Sequence, residues 1–146
     1  MSGRGIIGVA ILGSTGSVGE HTLEVIARHP DRFRVVALGA HRNAEKLAAQ
    51  VLRFDVPYAP LADGSSAGKL EEQLRSRGAR TRVLGGSDAL EQIAALPEVD
   101  SVMAAIVGTA GLRSTLAAAR AGKRLLLANK ESLVMAGPLL MQTVRS

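Results

Sequence analysis

The feature of the sequence that most restricts its fold is a seven-residue turn with a glycine at every third position, Gly13, Gly16 and Gly19. A nearly unbroken aliphatic run over residues 6–12 precedes the turn, and such a run predicts a strand buried on both faces. Apolar residues recur at helical spacing over residues 17–29, which predicts a helix directly after the turn. A strand that passes through a glycine-rich turn into a helix is typical of a parallel sheet with crossover helices.

Short apolar segments continue to alternate with segments of helical period along the chain. Further strands are predicted over residues 33–39, 55–61, 82–84, 99–107 and 124–128. Further helices are predicted after Asn43 as cap, from a loop over 63–68 to Arg77, from Ser87 as cap to Leu96, over 112–121, and over 132–144 with a break at Gly137 and Pro138. Only 2% of the residues are aromatic although 47% are hydrophobic, and this aliphatic composition favours strands covered on both faces. We therefore predict a single α/β domain over residues 1–146, with a doubly wound Rossmann-type, mostly parallel sheet and helices on both faces.

The glycine-rich turn also has the composition of an anion-binding loop. Glycine lets the backbone approach a pyrophosphate closely, and the first N–H groups and the dipole of the following helix favour negative charge. Thr15 and Ser17 add hydroxyl donors, and Thr15 stands where the more common GxGxxG pattern has its middle glycine. Glu20, rather than a lysine, follows the last glycine, which argues against a P-loop nucleotidase. The pattern predicts a dinucleotide-binding turn, and the alternative is a glycine-rich turn that binds nothing.

The end of the second predicted strand indicates which dinucleotide is bound. NAD-binding domains usually have an acidic residue there for the ribose hydroxyl, whereas NADP-binding domains place an arginine nearby. No carboxylate follows Gly39, since the next residues are Ala40, His41, Arg42 and Asn43. Arg42 can pair with a 2′-phosphate, His41 can flank that phosphate or the adenine, and Asn43 can donate hydrogen bonds. These residues favour NADPH over NADH, and the alternative is an ordinary exposed turn.

Two later segments are predicted at the carboxyl ends of strands, where open parallel sheets bind their ligands. Residues 104–108 are mostly small and end in glycine, which allows close approach of a flat ring or a ribose; plain core packing is the alternative. Asn129, Lys130 and Glu131 follow an apolar strand abruptly, and a solvent-facing helix cap is the alternative for them.

Charge and composition argue against other classes of partner. The net charge is +5, and the densest basic run comprises Arg75, Arg77, Arg80 and Arg82. One Tyr, two Phe and no Trp leave little for nucleic-acid bases to stack on, so we expect no nucleic-acid partner. No apolar run approaches the roughly 20 residues of a membrane span, no signal-peptide pattern is present and cysteine is absent. We therefore expect a cytoplasmic protein without membrane contact, and the three histidines, which lack metal-ligand spacing, predict no metal site.

Four strings of the sequence are more specific than the glycine turn. They are ILGSTGSVG at 11–19, RFRVVALGAHRN at 32–43, VMAAIVGTAGL at 102–112 and LLLANKESLVMAG at 125–137. Together they resemble the family of 1-deoxy-D-xylulose 5-phosphate reductoisomerases. The resemblance implies NADPH contacts at the phosphates for Thr15, Gly16, Ser17 and Val18, and contacts around the adenosine phosphate for His41, Arg42 and Asn43. It also implies NADPH contacts for Asn129 and Glu131, and a contact with the sugar-phosphate substrate for Lys130.

The resemblance further implies a two-stage reaction of non-mevalonate isoprenoid biosynthesis, in which 1-deoxy-D-xylulose 5-phosphate rearranges to an aldehyde and NADPH reduces it to 2-C-methyl-D-erythritol 4-phosphate. Mg or Mn holds the substrate in such enzymes, with acidic ligands from a DSE-type motif beyond Ser146 and from a catalytic domain. We therefore expect this chain to be an N-terminal NADPH-binding domain without catalytic residues, inactive alone, and the full-length enzyme to be a homodimer. The residues leave open another NADP-dependent dehydrogenase or a non-catalytic dinucleotide-sensing domain.

Overall fold

The computed structural model describes residues 6–86, 88–106 and 108–127, which form a sheet of six strands covered by five helices. The strands are β1 (Ile7–Leu12), β2 (Phe33–Gly39), β3 (Tyr58–Leu61), β4 (Arg82–Gly85), β5 (Ser101–Ala104) and β6 (Arg124–Leu127). The helices are α1 (Ser17–Ala27), α2 (Ala44–Phe54), α3 (Gly64–Ser76), α4 (Ala89–Ala94) and α5 (Gly108–Arg120). Strands and helices alternate throughout, as the apolar pattern predicts.

The strand order shows where a ligand can bind. All strand pairs are parallel, and the order across the sheet is β4-β3-β2-β1-β5-β6. The chain builds outward from β1 to β4 and then returns to β5 on the opposite side of β1. This reversal leaves a crevice between the carboxyl ends of β1 and β5, where open α/β sheets bind their ligands. The predicted doubly wound Rossmann-type sheet is confirmed.

Successive residues of β1 fill two separate cores, one on each face of the sheet. Val9 and Ile11 pack into the cluster beneath α1, α2 and α3. Ala10 and Leu12 pack into the cluster beneath α4 and α5. All four side chains are at most 2% exposed. Because full burial of an aliphatic side chain contributes roughly 1.5–3 kcal/mol, apolar burial holds both helix layers on the central strand.

Two glycines let α1 begin directly against the end of β1. A Cβ atom at Gly19 would lie 2.3 Å from the Gly13 carbonyl oxygen and 2.5 Å from Ser14 Cα, closer than real Cβ atoms approach. Gly13 has a φ of 103°, and a Cβ there would lie 2.7 Å from the Ala105 carbonyl carbon. Only glycine fits at either position, so the start of α1 is held close to the crevice.

Helix α3 corrects the prediction of a loop over residues 63–68, because the helix begins at Gly64. Asp63 Oδ1 accepts hydrogen bonds from the Ser65 N–H at 3.1 Å and from the Ser65 hydroxyl at 2.7 Å. Asp63 Oδ2 accepts from the Ser66 hydroxyl at 3.2 Å. This capping satisfies a backbone donor of the first turn and outweighs the weak helix preference of glycine and serine.

Three other boundaries also differ from the predictions. β3 is shorter than 55–61 because Asp55 ends α2 in the left-handed conformation, with φ 51°, and Pro57 cannot donate to a strand ladder. β5 occupies only the centre of the apolar run over 99–107. α5 begins at Gly108, four residues before the predicted start.

The predicted helix over 132–144 and the predicted cap Ser87 lie outside the described residues. The N-cap of α4 is Asp88, one residue after the predicted cap. Where the chain is described, none of its helices combines the length and the apolar character needed to cross a bilayer.

We predict that Gly19→Ala lowers the free energy of unfolding by about 1–3 kcal/mol, the usual cost of overpacking. Gly68→Ala is a matched control, because Gly68 also lies inside a helix, but a Cβ atom at this position would have no other atom within 4 Å. That control should gain up to about 1 kcal/mol from the higher helix propensity of alanine. Urea denaturation measures both changes, and wild-type stability of Gly19→Ala would contradict the close packing.

A second prediction concerns pH and the cap of α3. Hydrogen bonds from the Ser65 hydroxyl and N–H lower the pKa of the Asp63 carboxyl below its ordinary value. A carboxyl whose pKa is lowered by folding stabilises the fold above its ordinary pKa, and this contribution is lost as the pH falls through the folded-state pKa. Asp63→Ala should therefore reduce stability at neutral pH, with a loss that shrinks below about pH 4.

The control for this prediction is Asp63→Asn, which retains an acceptor oxygen without a charge. We expect it to show a smaller loss at neutral pH than Asp63→Ala, and this loss should also shrink on acidification, because the titrating carboxyl is in the wild type. Urea denaturation between neutral pH and about pH 2.5 distinguishes the variants, since a constant difference between Asp63→Ala and the wild type would rule out a contribution from the charge.

Candidate functional site

The backbone holds the turn after β1 against the end of β2. The carbonyl oxygen of Gly39 accepts hydrogen bonds from the N–H groups of Gly13 at 2.7 Å and Ser14 at 3.0 Å. Ser14 is fully buried, and its hydroxyl donates to the same oxygen at 3.5 Å. Because these donors are occupied, a ligand can use only the N–H groups further along the turn.

The first turn of α1 presents N–H groups that no side chain in the described part of the protein caps. Gly16 is the N-cap residue, and the first bond within the helix runs from the Glu20 N–H to the Gly16 carbonyl at 2.9 Å. The three N–H groups between them have no acceptor inside the helix. By contrast, Asn43 caps α2 and Asp63 caps α3 with a side-chain oxygen. The open end of α1 has the properties of an anion-binding site.

The three glycines of the turn have different structural roles. Gly13 makes the tight turn and Gly19 permits close packing, whereas Gly16 is exposed. A Cβ at Gly16 would meet only the Gly13 carbonyl oxygen within 4 Å, at an ordinary 3.6 Å, so the space in front of the helix is open. Gly16 therefore leaves open the space that a middle glycine leaves in the common motif, whereas the spacing counted from Gly13 gives that place to Thr15. Thr15 is partly buried.

The loop after β2 brings the predicted cofactor-selecting residues to the same edge of the sheet. The side chains of His41, Arg42 and Asn43 are all exposed. Asn43 Oδ1 accepts from the Lys46 N–H at 3.2 Å, which confirms Asn43 as the cap of α2. Since β1 and β2 are parallel neighbours, this loop and the glycine turn lie at adjacent strand ends.

Asp63, the N-cap of α3, places a carboxylate near the end of β2, which has no acidic residue of its own. The Asp63 N–H donates to the His41 carbonyl at 2.7 Å, so the two loops are joined through the backbone. Hydrogen bonds from Ser65 and, less strongly, Ser66 lower the pKa of the Asp63 carboxyl, and His41 makes a smaller electrostatic contribution in the same direction. Both oxygens of Asp63 already accept hydrogen bonds as the cap of α3. Asp63 is therefore already engaged as a cap, whereas Arg42 is exposed on the loop after β2 and is available to a ligand.

The end of β5 meets the glycine turn through its backbone. The Ala105 N–H donates to the Leu12 carbonyl at 2.7 Å, and Gly13 lies against the Ala105 carbonyl. Ala104 and Ile106 are buried, so core packing, the alternative to ligand contact, describes both of them. Ala105 stays partly exposed at the crevice.

The predicted ligand residues Asn129, Lys130 and Glu131 lie outside the described residues. β6 ends at Leu127, which pairs with Ala104, so this strand ends at the same edge as β1 and β5. Within residues 6–127 as described, no group of three or more histidine or acidic side chains could hold a metal ion.

The structure also brings to the turn two residues that the sequence does not single out, Ser14 and Gln50. Gln50 of α2 donates from Nε2 to the Ser14 carbonyl at 2.8 Å. One local signal exists, because Gln50 follows Leu47 by three residues and precedes Phe54 by four, which places a polar residue on the packed side of α2. Its partner is 36 residues away, so no local pattern identifies it.

Known proteins share both the sequence and the fold of this chain. The family model for 1-deoxy-D-xylulose 5-phosphate reductoisomerase matches residues 9–137. The 1-deoxy-D-xylulose 5-phosphate reductoisomerase of Nitrosomonas europaea is 60% identical over 137 residues, which are 94% of this chain and 33% of that relative. The solved reductoisomerase from Zymomonas mobilis in complex with NADPH is 46% identical with a TM-score of 0.89, over 96% of this chain and 36% of that one. A solved DOX-P reductoisomerase in complex with NADPH, fosmidomycin and magnesium is also 46% identical, with a TM-score of 0.91, over 96% of this chain and 34% of that one.

These matches cover nearly all of this chain but only part of each relative. The chain spans about a third of the length of these relatives. The family match nevertheless includes the glycine turn, the Arg42 loop and all six strand ends at the ligand-binding edge of the sheet. This chain therefore belongs to the 1-deoxy-D-xylulose 5-phosphate reductoisomerase family.

Proposed function

We propose that this chain is the NADPH-binding domain of a 1-deoxy-D-xylulose 5-phosphate reductoisomerase. The observation that carries the proposal is the uncapped first turn of α1, which opens at the crevice between β1 and β5. Free N–H groups and the helix dipole make an anion the natural ligand there. The relatives that were solved with NADPH support the choice of dinucleotide.

In this proposal the glycine turn binds the pyrophosphate. Ser17 and Val18 supply backbone N–H groups, Gly16 leaves the space in front of them, and Thr15 adds a hydroxyl. The acidic residue of the first turn, Glu20, is paired with Lys46, which offsets its repulsion of a phosphate. The residues present thus fit a diphosphate.

The loop after β2 selects the phosphorylated ribose. The Arg42 guanidinium pairs with the 2′-phosphate, and His41 flanks that phosphate or the adenine. Asn43 uses its amide oxygen to cap α2, which leaves its amide N–H groups to donate to the ligand. When bound, NADPH supplies the hydride that reduces the rearranged substrate, while these residues hold and orient its phosphates.

The remaining parts of the reaction are assigned through the family. We propose that Asn129 and Glu131 contact NADPH and that Lys130 contacts the sugar-phosphate substrate. Mg or Mn belongs to the complete enzyme, and we propose that its ligands lie outside the described residues. Among the described residues, no candidate cluster of metal ligands occurs. Because the chain spans about a third of its relatives, we expect it to bind NADPH without catalysing the reaction. A homodimer of the full-length enzyme and a cytoplasmic location stay predictions.

Two alternatives from the sequence are less well supported. The family match disfavours another class of NADP-dependent dehydrogenase, since it includes residues 125–137 as well as the glycine turn. A purely dinucleotide-sensing role has no specific observation in its favour.

Arg42→Glu tests the choice of cofactor. We expect it to weaken NADPH binding roughly 10- to 100-fold, because a charge-assisted hydrogen bond contributes about 1.5–3 kcal/mol, and to change NADH binding far less. Arg77→Glu is the matched control, since Arg77 is exposed and lies at the far end of α3. Calorimetric titration of each variant with both dinucleotides is the measurement, and equal losses for NADPH and NADH in Arg42→Glu would refute the assignment.

Gly16→Val tests the pyrophosphate site. Gly16 has φ −82° and ψ 171°, which valine also adopts, so the variant should fold with a stability loss of roughly 1 kcal/mol at the N-cap. Its side chain would occupy the space in front of the α1 N–H groups, so we expect NADPH and NADH to weaken together by about tenfold or more. The same titrations, with thermal melts to confirm folding, check this result. Wild-type affinity for either dinucleotide would place the pyrophosphate elsewhere.

A further inference from the structure

Gln50 links the glycine turn to the helix that begins at the Arg42 loop. It lies on α2, seven residues after the cap Asn43, and its Nε2 donates to the Ser14 carbonyl at 2.8 Å. Because a carbonyl oxygen only accepts hydrogen bonds, the amide nitrogen must be the half of Gln50 that faces Ser14. The orientation of the side chain is therefore determined by its partner.

The other half of the Gln50 amide has no partner. Its Oε1 is buried and accepts no hydrogen bond from the described residues. A buried polar atom without a partner lowers stability, and an apolar side chain of similar shape avoids this loss. Stability alone therefore gives little reason for glutamine at this position, whereas a need to hold the Ser14 carbonyl does.

The ion pairs between α1 and α2 are weak links. Glu20 pairs with Lys46, and Glu24 pairs with Arg53 at 2.5 Å. All four side chains are between 43% and 54% exposed, and ion pairs with that exposure contribute little. These pairs also join one helix to the other, whereas Gln50 reaches the turn itself.

We propose that Gln50 is a positioning residue for the cofactor: it holds the pyrophosphate-binding turn at a set distance from the 2′-phosphate-binding loop. This proposal rests on the proposed function. α2 is rigid between Asn43 and Gln50, a span of about 10 Å at 1.5 Å per residue. One end of that span carries the loop that selects the 2′-phosphate, and the other end binds the turn through Ser14. One dinucleotide can then reach both sites without reordering the turn.

Gln50→Met removes the donor while keeping a similar shape. We expect NADPH and NADH to lose the same factor, about 3- to 10-fold, the net contribution of one hydrogen bond. Adenosine 2′-monophosphate, which lacks the pyrophosphate, should keep its affinity in an NMR titration. Without any ligand, the Gly13 and Ser14 amides, which donate to Gly39, should exchange with deuterium faster than in the wild type.

Gln73→Met is the matched control. Gln73 also lies in a helix and also has a buried, unpartnered Oε1, but α3 does not contact the turn through it. Its variant removes the same kind of unpartnered oxygen but no hydrogen bond to the turn, so it should retain wild-type affinity for both dinucleotides.

The titrations distinguish failure of the positioning role of Gln50 from failure of the proposed NADPH-binding function. If the wild type binds NADPH and Gln50→Met binds it equally well, or if adenosine 2′-monophosphate weakens as much as NADPH, the positioning role is overturned. Unchanged amide exchange at Gly13 and Ser14 would also overturn it. If the wild type fails to bind either dinucleotide, the proposed function itself is wrong, and the positioning role with it.

Discussion

The confinement of β1 between β2 and β5 is the constraint on which the rest of the structure depends. With parallel strands on both sides, the chain can leave β1 only over the crevice, where the Ala105 backbone leaves no room for a Cβ on Gly13. The Gly39 carbonyl then accepts two N–H groups from the turn, which ties it to the second strand. The close approach of Gly19 completes the geometry by starting α1 at once. The location of the site thus follows from packing in the centre of the sheet.

The helices on this sheet differ in how their N-termini are capped. On one face of the sheet, side-chain oxygens of Asn43 and Asp63 cap α2 and α3. The N-cap of α1 is Gly16, which has no side chain to accept a hydrogen bond. Helix ends without a cap leave polar backbone groups to be satisfied by water or a ligand. α4 also lacks a side-chain cap, but α1 is the helix that follows the glycine turn at the crevice, with Arg42 exposed one strand away.

Local patterns predicted the features that depend on local physics. The aliphatic run before Gly13, the second strand over Phe33–Gly39 and the cap at Asn43 were all predictable, because burial and capping leave a periodic or positional trace. The start of α3 was missed because Asp63 and two serines form hydrogen bonds that override a glycine-rich composition. Gln50 was missed for a different reason, since its role comes from a contact with Ser14 that only the folded chain creates.

The turn also shows why a departure from the common glycine motif does not by itself argue against a phosphate site. The ligand-facing donors of such a site are backbone N–H groups, so their placement depends on where the helix starts and on what the glycines leave open. Here the spacing counted from Gly13 gives the place of the middle glycine to Thr15, yet Gly16 still begins the helix and Gly19 still packs against Gly13. Side-chain identity at the middle of the turn is therefore a weaker guide than the position of the helix N-terminus. The same reasoning leads us to propose that selectivity rests on Arg42, because charge at the end of the neighbouring strand, and not the backbone of the turn, distinguishes one ribose from another.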